Sequence, residues 1–207
     1  MNKVAVAQIE SSTNKKENLR KAVGLIQDAN GKGASLIAFP EFLMAFSPAS
    51  QSAEELTQIA EPADGPFIPS LSAAAKDAAV AVVATIYENA PAPNRVFDTA
   101  VWIDAQGNIA SVYRKLHLYD AFGFKESDKF HPGAAVAPLV ESGACRLGMM
   151  ICYDLRFPEM ARMLALDGAN VLVAPSGWVQ GDLKVEHWQT MVKARALENG
   201  SYVIAPG

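Results

Sequence analysis

The sequence predicts an α/β protein, and three observations carry that expectation. Short apolar, β-branched runs alternate with segments of helical period along nearly the whole chain. The first two runs, "KVAVAQIE" and "ASLIAFPE", flank a helix-period segment, the beginning of a βαβ unit with parallel strands. A third run, "VAVVATIYE", is apolar almost throughout, as a strand buried on both faces is.

Taken in order, "KVAVAQIE" reads as a strand, and the polar "SSTNKKEN" opens a helix ending near "NGKG" before the strand "ASLIAFPE". The segment "GPFIPSLSAAAKDAA" reads as a helix leading into "VAVVATIYE". In "RVFDTAVWIDAQGNIASVYRKLHLY" two strands meet at "DAQGN", whose Asp, Gly and Asn suit a hairpin turn. Strand and helix then alternate through "ACRLGMMIC", "PEMARMLALDG", "NVLVAPS", "KVEHWQTMVKARALENG" and "SYVIAPG". The last strand runs into a loop with nothing after it to cap the sheet. The expectation is therefore one domain over residues 1–207 with a C-terminal part missing.

Bulk properties narrow the function classes. Of 207 residues, 50% are hydrophobic and 19% charged, which suits a core that needs neither disulfides nor metal. The net charge of −4, with no Lys/Arg run, argues against a nucleic-acid partner. No apolar stretch reaches the roughly 18 residues of a membrane span, and "MNKVAVAQIE" lacks the layout of a secretory signal. We therefore expect a cytoplasmic protein with small-molecule partners, in which Cys145 and Cys152 are free thiols.

Sites in open α/β sheets form beyond the carboxyl ends of strands, and three of the strands end on reactive residues. "LIAFPE" ends at Glu41, where Pro40 disrupts the strand; a solvated loop carboxylate is the alternative. If "IASVYRKLHLYD" is one strand, Tyr113, Lys115 and His117 share a face, although a surface lysine is the commoner reading. "GMMICYDLRFPE" ends at Cys152, which is either core filler or a nucleophile. Pro158 then opens a helix whose positive end would favour thiolate.

"FPEF" around Glu41, "YRKLHLYD" around Lys115 and "MMICYDLRFPE" around Cys152 resemble the three motif regions of the nitrilase superfamily, the carbon–nitrogen hydrolases. "EHWQTMVKARALENGSYVIA" is similar to the family as well, so the likeness covers nearly the whole chain. The resemblance implies a four-layer αββα sandwich that forms homodimers or higher homo-oligomers through helical faces, with no cofactor and no metal. It implies Glu41 as general base, Cys152 as the nucleophile that forms a thioester, and Lys115 with the Tyr153 N–H as oxyanion donors. It also implies Glu126, in "FKES", as a second glutamate positioning lysine and substrate. On these assignments the ammonium favours thiolate, while Glu41 opposes it and gains proton affinity.

Tyr153 stands where nitrilases proper and many carbamoylases resemble one another in having Trp, and "CYDLRFPE" with "HLYDAFGFKES" is most similar to the omega-amidase and deaminated-glutathione amidase branch. Hydrolysis of a small linear amide to carboxylate and ammonia is the implied activity. Carbamoyl-amine or nitrile hydrolysis by the same residues, or ligand binding without turnover, are the alternatives. So is a Cys–His hydrolase using His117 or His131, whereas the scattered histidines give no zinc spacing. Arg156 is expected to tie its loop to carboxylates, with substrate binding as the alternative. Trp178 either walls the pocket or packs structurally, and His187 is expected to make a structural hydrogen bond beside Trp188. Met149, Met150, Met160 and Met163 are expected in the core.

Overall fold

Consecutive halves of the chain build two separate sheets. The computed structural model describes residues 3–207. In the first half β1 (Val4–Val6), α1 (Lys15–Gly31), β2 (Leu36–Ala38), α2 (Ala53–Ile59), α3 (Phe67–Ala78), β3 (Ala81–Asn89), β4 (Val96–Ile103) and β5 (Ile109–Arg114) follow one another. The five strands lie in sequence order, the first three parallel and the rest antiparallel. In the second half β6 (Val140–Ser142), β7 (Cys145–Met149), α4 (Pro158–Leu166), β8 (Val171–Val173), α5 (Lys184–Asn199) and β9 (Tyr202–Ile204) make a four-stranded sheet, again in sequence order.

The period-two alternation of side chains decides how the layers stack. Ile37, Val82, Ala84 and Ile86 turn toward α1 and α3, where they form one apolar cluster with Ala22, Ile26, Leu71 and Ala75. Their neighbours Leu36, Ala38, Ala81 and Val83 join Leu147, Met149, Val171 and Val173 of the other sheet. The sheets therefore pack face to face. On the far side of the second sheet Met160, Ala161 and Leu164 of α4 and Met191 and Val192 of α5 close the same cluster. A Cβ on Gly148 would lie 3.0–3.2 Å from Leu164, so a side chain there would push α4 off the sheet. The result is the αββα layering that the resemblance implied.

Local signals account for the boundaries. Asn14 caps α1, its side chain accepting from the Lys16 and Glu17 N–H groups. The hairpin turns at Asp104–Asn108, where the Asp104 carboxylate accepts from two backbone N–H groups and Gly107 takes φ +86°. Several expectations need correcting. The short helix α2, held by a Ser52–Glu55 capping box, and the edge strand β6 were not anticipated. β5 stops at Arg114, so Lys115 and His117 do not share a strand face. Pro158 does open α4, but Cys152 begins a separate one-turn 3-10 helix, Cys152–Arg156. Met163 is 55% exposed, because it lies to one side of the buried stripe of Met160, Ala161 and Leu164 on α4. Among the described residues no helix is long and apolar enough to cross a membrane.

Candidate active site

Three chain segments reach one buried spot beyond the strand ends. Phe39 still pairs with β3, and the chain then turns sharply at Glu41, with Phe42 in the left-handed region at φ +63°. The Thr85 hydroxyl fixes this turn, donating to the Pro40 carbonyl and accepting from the Leu43 N–H. The Glu41 side chain is left buried in the interior. From β5 comes Lys115, whose N–H donates to the Asp98 carbonyl of β4 at 2.9 Å. It is among the largest fully buried side chains. An ammonium is tolerated at such a depth only when it is paired and hydrogen-bonded.

It is paired twice. Lys115 Nζ donates to Glu41 Oε1 at 2.8 Å and to Glu126 Oε1 at 2.9 Å. Each carboxylate spends its second oxygen on a backbone donor, Glu41 Oε2 on the Gly177 N–H at 2.6 Å and Glu126 Oε2 on the Tyr119 N–H at 2.6 Å. Glycine is required at 177, since a Cβ would come within 2.9 Å of the Phe42 ring and 3.1 Å of Glu41 Oε2. Gly133 serves the lysine in the same way: its N–H donates to the Lys115 carbonyl, and a Cβ would lie 2.2 Å from the Arg114 carbonyl.

Cys152 follows β7 with φ +43°, a left-handed conformation that costs an L residue roughly 1 kcal/mol or more. Its N–H is used on the Pro175 carbonyl at 2.9 Å. The next N–H, that of Tyr153 in the first turn of the 3-10 helix, takes no acceptor among the described residues. Burial and the Glu41 charge push the Cys152 thiol well above its ordinary value, and Lys115 opposes them only in part. That direction favours the thiol at rest, opposite to the pull of a helix N-terminus. Glu41 departs from expectation in the same sense. Burial alone would raise its carboxyl, but the charge and hydrogen bond of Lys115, with Asp98 and Cys152 nearby, hold it below the ordinary value. Burial raises Glu126.

Two residues of this centre carried no sequence signal that we read. Asp98 is completely buried, with Oδ2 3.6 Å from Lys115 Nζ. Asp154, fully buried two residues after the cysteine, accepts from the Ile151 N–H, the Tyr113 hydroxyl, the His117 N–H and His117 Nδ1. Glu41, Asp98 and Glu126 offer oxygens within 4.8 Å of one another, a spacing that could hold a cation. The Lys115 ammonium already supplies that charge.

The other candidates fall around this centre. His117 stacks on Phe157 at 3.6 Å and His131 bonds the Pro132 carbonyl, so both have structural partners. Against expectation, Arg156 has no carboxylate partner among the described residues. Its guanidinium lies 5.3 Å from the Trp178 ring, 5.7 Å from Phe122 and 5.8 Å from Tyr153. It also meets His187 Nδ1 at 3.4 Å, while its buried Nε has no partner among the described residues. Trp178 packs on Trp188 at 5.1 Å, with Nε1 donating to the Lys184 carbonyl, and faces the Arg156 guanidinium. Cys145 merely begins β7 against the core.

Face-to-face sheets with a buried carboxylate–ammonium pair at the strand ends define an α/β protein of the nitrilase fold. The comparisons with known proteins agree: the carbon-nitrogen hydrolase family model matches residues 3–207. The chain belongs to that family. It is 37% identical over 204 residues to a deaminated glutathione amidase of Escherichia coli O157:H7, covering 99% of this chain and 76% of that protein. To the deaminated glutathione amidase of Rattus norvegicus it is 34% identical, covering 98% of this chain and 63% of the relative. Among solved structures, the C. elegans NitFhit protein superposes with a TM-score of 0.89 at 28% identity, over 98% of this chain and 50% of that one. A mutant amidase from Nesterenkonia sp. AN1, with acrylamide added to its active-site cysteine, gives 0.80 at 25% identity, over 98% of this chain and 77% of that one.

Proposed function

We propose that the protein is an amidase that hydrolyses a small linear amide to a carboxylate and ammonia through a Cys152 thioester. The observation that carries this reading is the double pairing of Lys115 with Glu41 and Glu126. Two of the three ammonium protons are used, which leaves one to donate to a substrate oxygen.

The steps follow from the resting protonation states. As Cys152 Sγ attacks the amide carbon, its proton passes to Glu41, so the thiolate need not exist beforehand. The tetrahedral oxyanion accepts from the third Lys115 proton and from the Tyr153 N–H, which has no competing acceptor. Glu41 returns its proton to the amide nitrogen, the C–N bond breaks, and ammonia leaves. Water then attacks the thioester with Glu41 again as base, and the carboxylate product departs as Cys152 recovers its proton. Glu126 holds the lysine at the angle these steps need.

Arg156 narrows the substrate class. A guanidinium ringed by aromatic faces with an unused N–H suits a carboxylate on the far end of the amide. We read the protein as cytoplasmic, in keeping with two free cysteines. We also read it as a homo-oligomer, since α4 and α5 leave Met163, Leu166 and Leu197 exposed.

Ammonia release from a panel of carboxylated and neutral amides, ureido compounds and nitriles tests the reading, with Cys152→Ala as control. Amide turnover lost in the variant, with an acyl mass on the wild-type protein, is expected. Undiminished turnover in Cys152→Ala, or turnover of nitriles alone, would overturn it.

A further inference from the structure

Asp98 sits in the middle of β4, opposite Tyr87 of β3, and is as deeply buried as any residue of the site. Its surroundings differ from those of the other two carboxylates in one respect. Glu41 accepts from Lys115 and the Gly177 N–H, and Glu126 accepts from Lys115 and the Tyr119 N–H. Neither oxygen of Asp98 accepts a hydrogen bond from any described residue. Lys115 Nζ is 3.6 Å away, beyond hydrogen-bond length. The Tyr87 hydroxyl is directed elsewhere, onto the Ala45 carbonyl at 2.6 Å.

Three ionised carboxylates around one ammonium would leave two uncompensated negative charges in a buried site. A buried carboxylate without donors relieves that by binding a proton. Of the three candidates only Asp98 has no donor to lose, so the proton belongs there. A neutral acid must in turn donate, and the acceptor at hand is Glu41, one of whose oxygens lies within 4.8 Å of an Asp98 oxygen.

We propose that Asp98 is a positioning residue working as a neutral carboxylic acid, donating its O–H to Glu41 and leaving the site with two carboxylates around its one ammonium. The inference rests on the catalytic roles proposed above for Glu41 and Lys115. The Asp98 proton does not travel with the reaction; it stays on Asp98 while the thiol proton moves through Glu41. Its effect is twofold. The O–H fixes the orientation of the general base, and the missing negative charge lets Lys115 stay shared between Glu41 and Glu126. Consistent with this, burial and the Glu41 charge raise the Asp98 carboxyl well above its ordinary value, with Lys115 opposing and Glu126 adding to the rise. The groups facing it are Glu41, Glu126, Lys115, Tyr87 and, through Glu41, Cys152.

The direct test is the infrared difference spectrum of unreacted wild-type protein minus Asp98→Asn at neutral pH. A carboxylic acid C=O stretch that shifts on deuteration is expected; a carboxylate stretch in its place would overturn the proposal. Because no turnover is involved, this reading decides the protonation of Asp98 even if no amide of the panel is hydrolysed. Kinetics tests the positioning role. Asp98→Asn keeps a donor and should retain kcat within about threefold, whereas Asp98→Leu should lose about tenfold or more in kcat with little change in KM. Wild-type activity should fall at alkaline pH as Asp98 ionises, and Asp98→Asn should lack that limb. An unchanged limb in Asp98→Asn, or equal kcat in the Asn and Leu variants, would overturn the positioning role.

Discussion

The Asp154 carboxylate accepts from the Tyr113 hydroxyl at 2.6 Å and thereby ties the end of β5, which carries Lys115, to the loop that carries Cys152. Both partners are buried. Tyr113 also accepts from the Leu116 N–H, so the phenol closes the turn just after the lysine. Asp154 does the same for the cysteine, accepting from the Ile151 N–H at 2.8 Å. One carboxylate thus sets the spacing of two site residues that lie on different sheets.

Asp154→Asn should therefore reduce stability and activity together. The amide presents its own N–H groups to donors that need acceptors, and stranding them should cost about 2–4 kcal/mol. The midpoint of denaturant unfolding measures the first effect. Tyr113→Phe removes a single partner and should cost about 1 kcal/mol, with the smaller loss of kcat/KM.

Gly177→Ala should damage activity more than folding. The added Cβ would press on the Phe42 ring and on Glu41 Oε2, and Phe42, already at a positive φ, has little freedom to retreat. Glu41 moves instead. We expect about 100-fold loss in kcat, as an ångström-scale misplacement of a catalytic group gives, with about 1–3 kcal/mol of overpacking cost. Gly24→Ala is the control. It lies inside α1 with nothing within 4 Å, and should gain about 0.5–1 kcal/mol without kinetic effect.

The pH profile should report Glu41 ionised and Cys152 protonated at rest. The base is competent only as carboxylate, and its carboxyl titrates below the ordinary carboxylate value. As pH falls, kcat/KM should therefore hold to lower pH than an ordinary glutamate base would allow. With the thiol raised, subtracting the ultraviolet spectrum of Cys152→Ala from wild type should reveal no thiolate band at pH about 8. A full band there would mean a preformed thiolate and a different first step.

The alternation of strands and helices was legible because buried strands and amphipathic helices must differ in hydrophobic period. Glu41, Lys115 and Cys152 were legible as reactive groups at strand ends, and the family likeness singled them out. Asp98 was not, because it lies inside β4, where "VFDTAV" offers period two and no break; only burial distinguishes it. Asp154 was hidden by its position, since a polar residue after a nucleophile looks like loop. Three of its four donors come from Tyr113 and His117, 41 and 37 residues earlier, a segment that only the fold brings to it. Arg156 was misjudged for a related reason. A guanidinium is expected near carboxylates, and the aromatic rings around it come from loops whose packing no local pattern foretells.

Arg156 offers the sharpest test of substrate class. Its guanidinium is held by aromatic faces and by His187, not by a protein carboxylate, so its charge remains available to a ligand. Replacing it with Gln should therefore discriminate between two amides of equal length. For one ending in a carboxylate, kcat/KM should fall by roughly 10- to 100-fold, the equivalent of about 1.5–3 kcal/mol for a charged hydrogen bond. For one ending in a neutral group it should change by no more than about threefold, because the hydrogen bond given up, the long 3.4 Å contact to His187, is weak. The loss should lie mainly in KM, since the carboxylate is bound alike in ground and transition states. Arg156→Lys keeps the charge but not the fork and should fall between wild type and Gln. Equal losses on both amides would instead assign Arg156 to holding the loop, and the substrate would then be chosen elsewhere in the pocket.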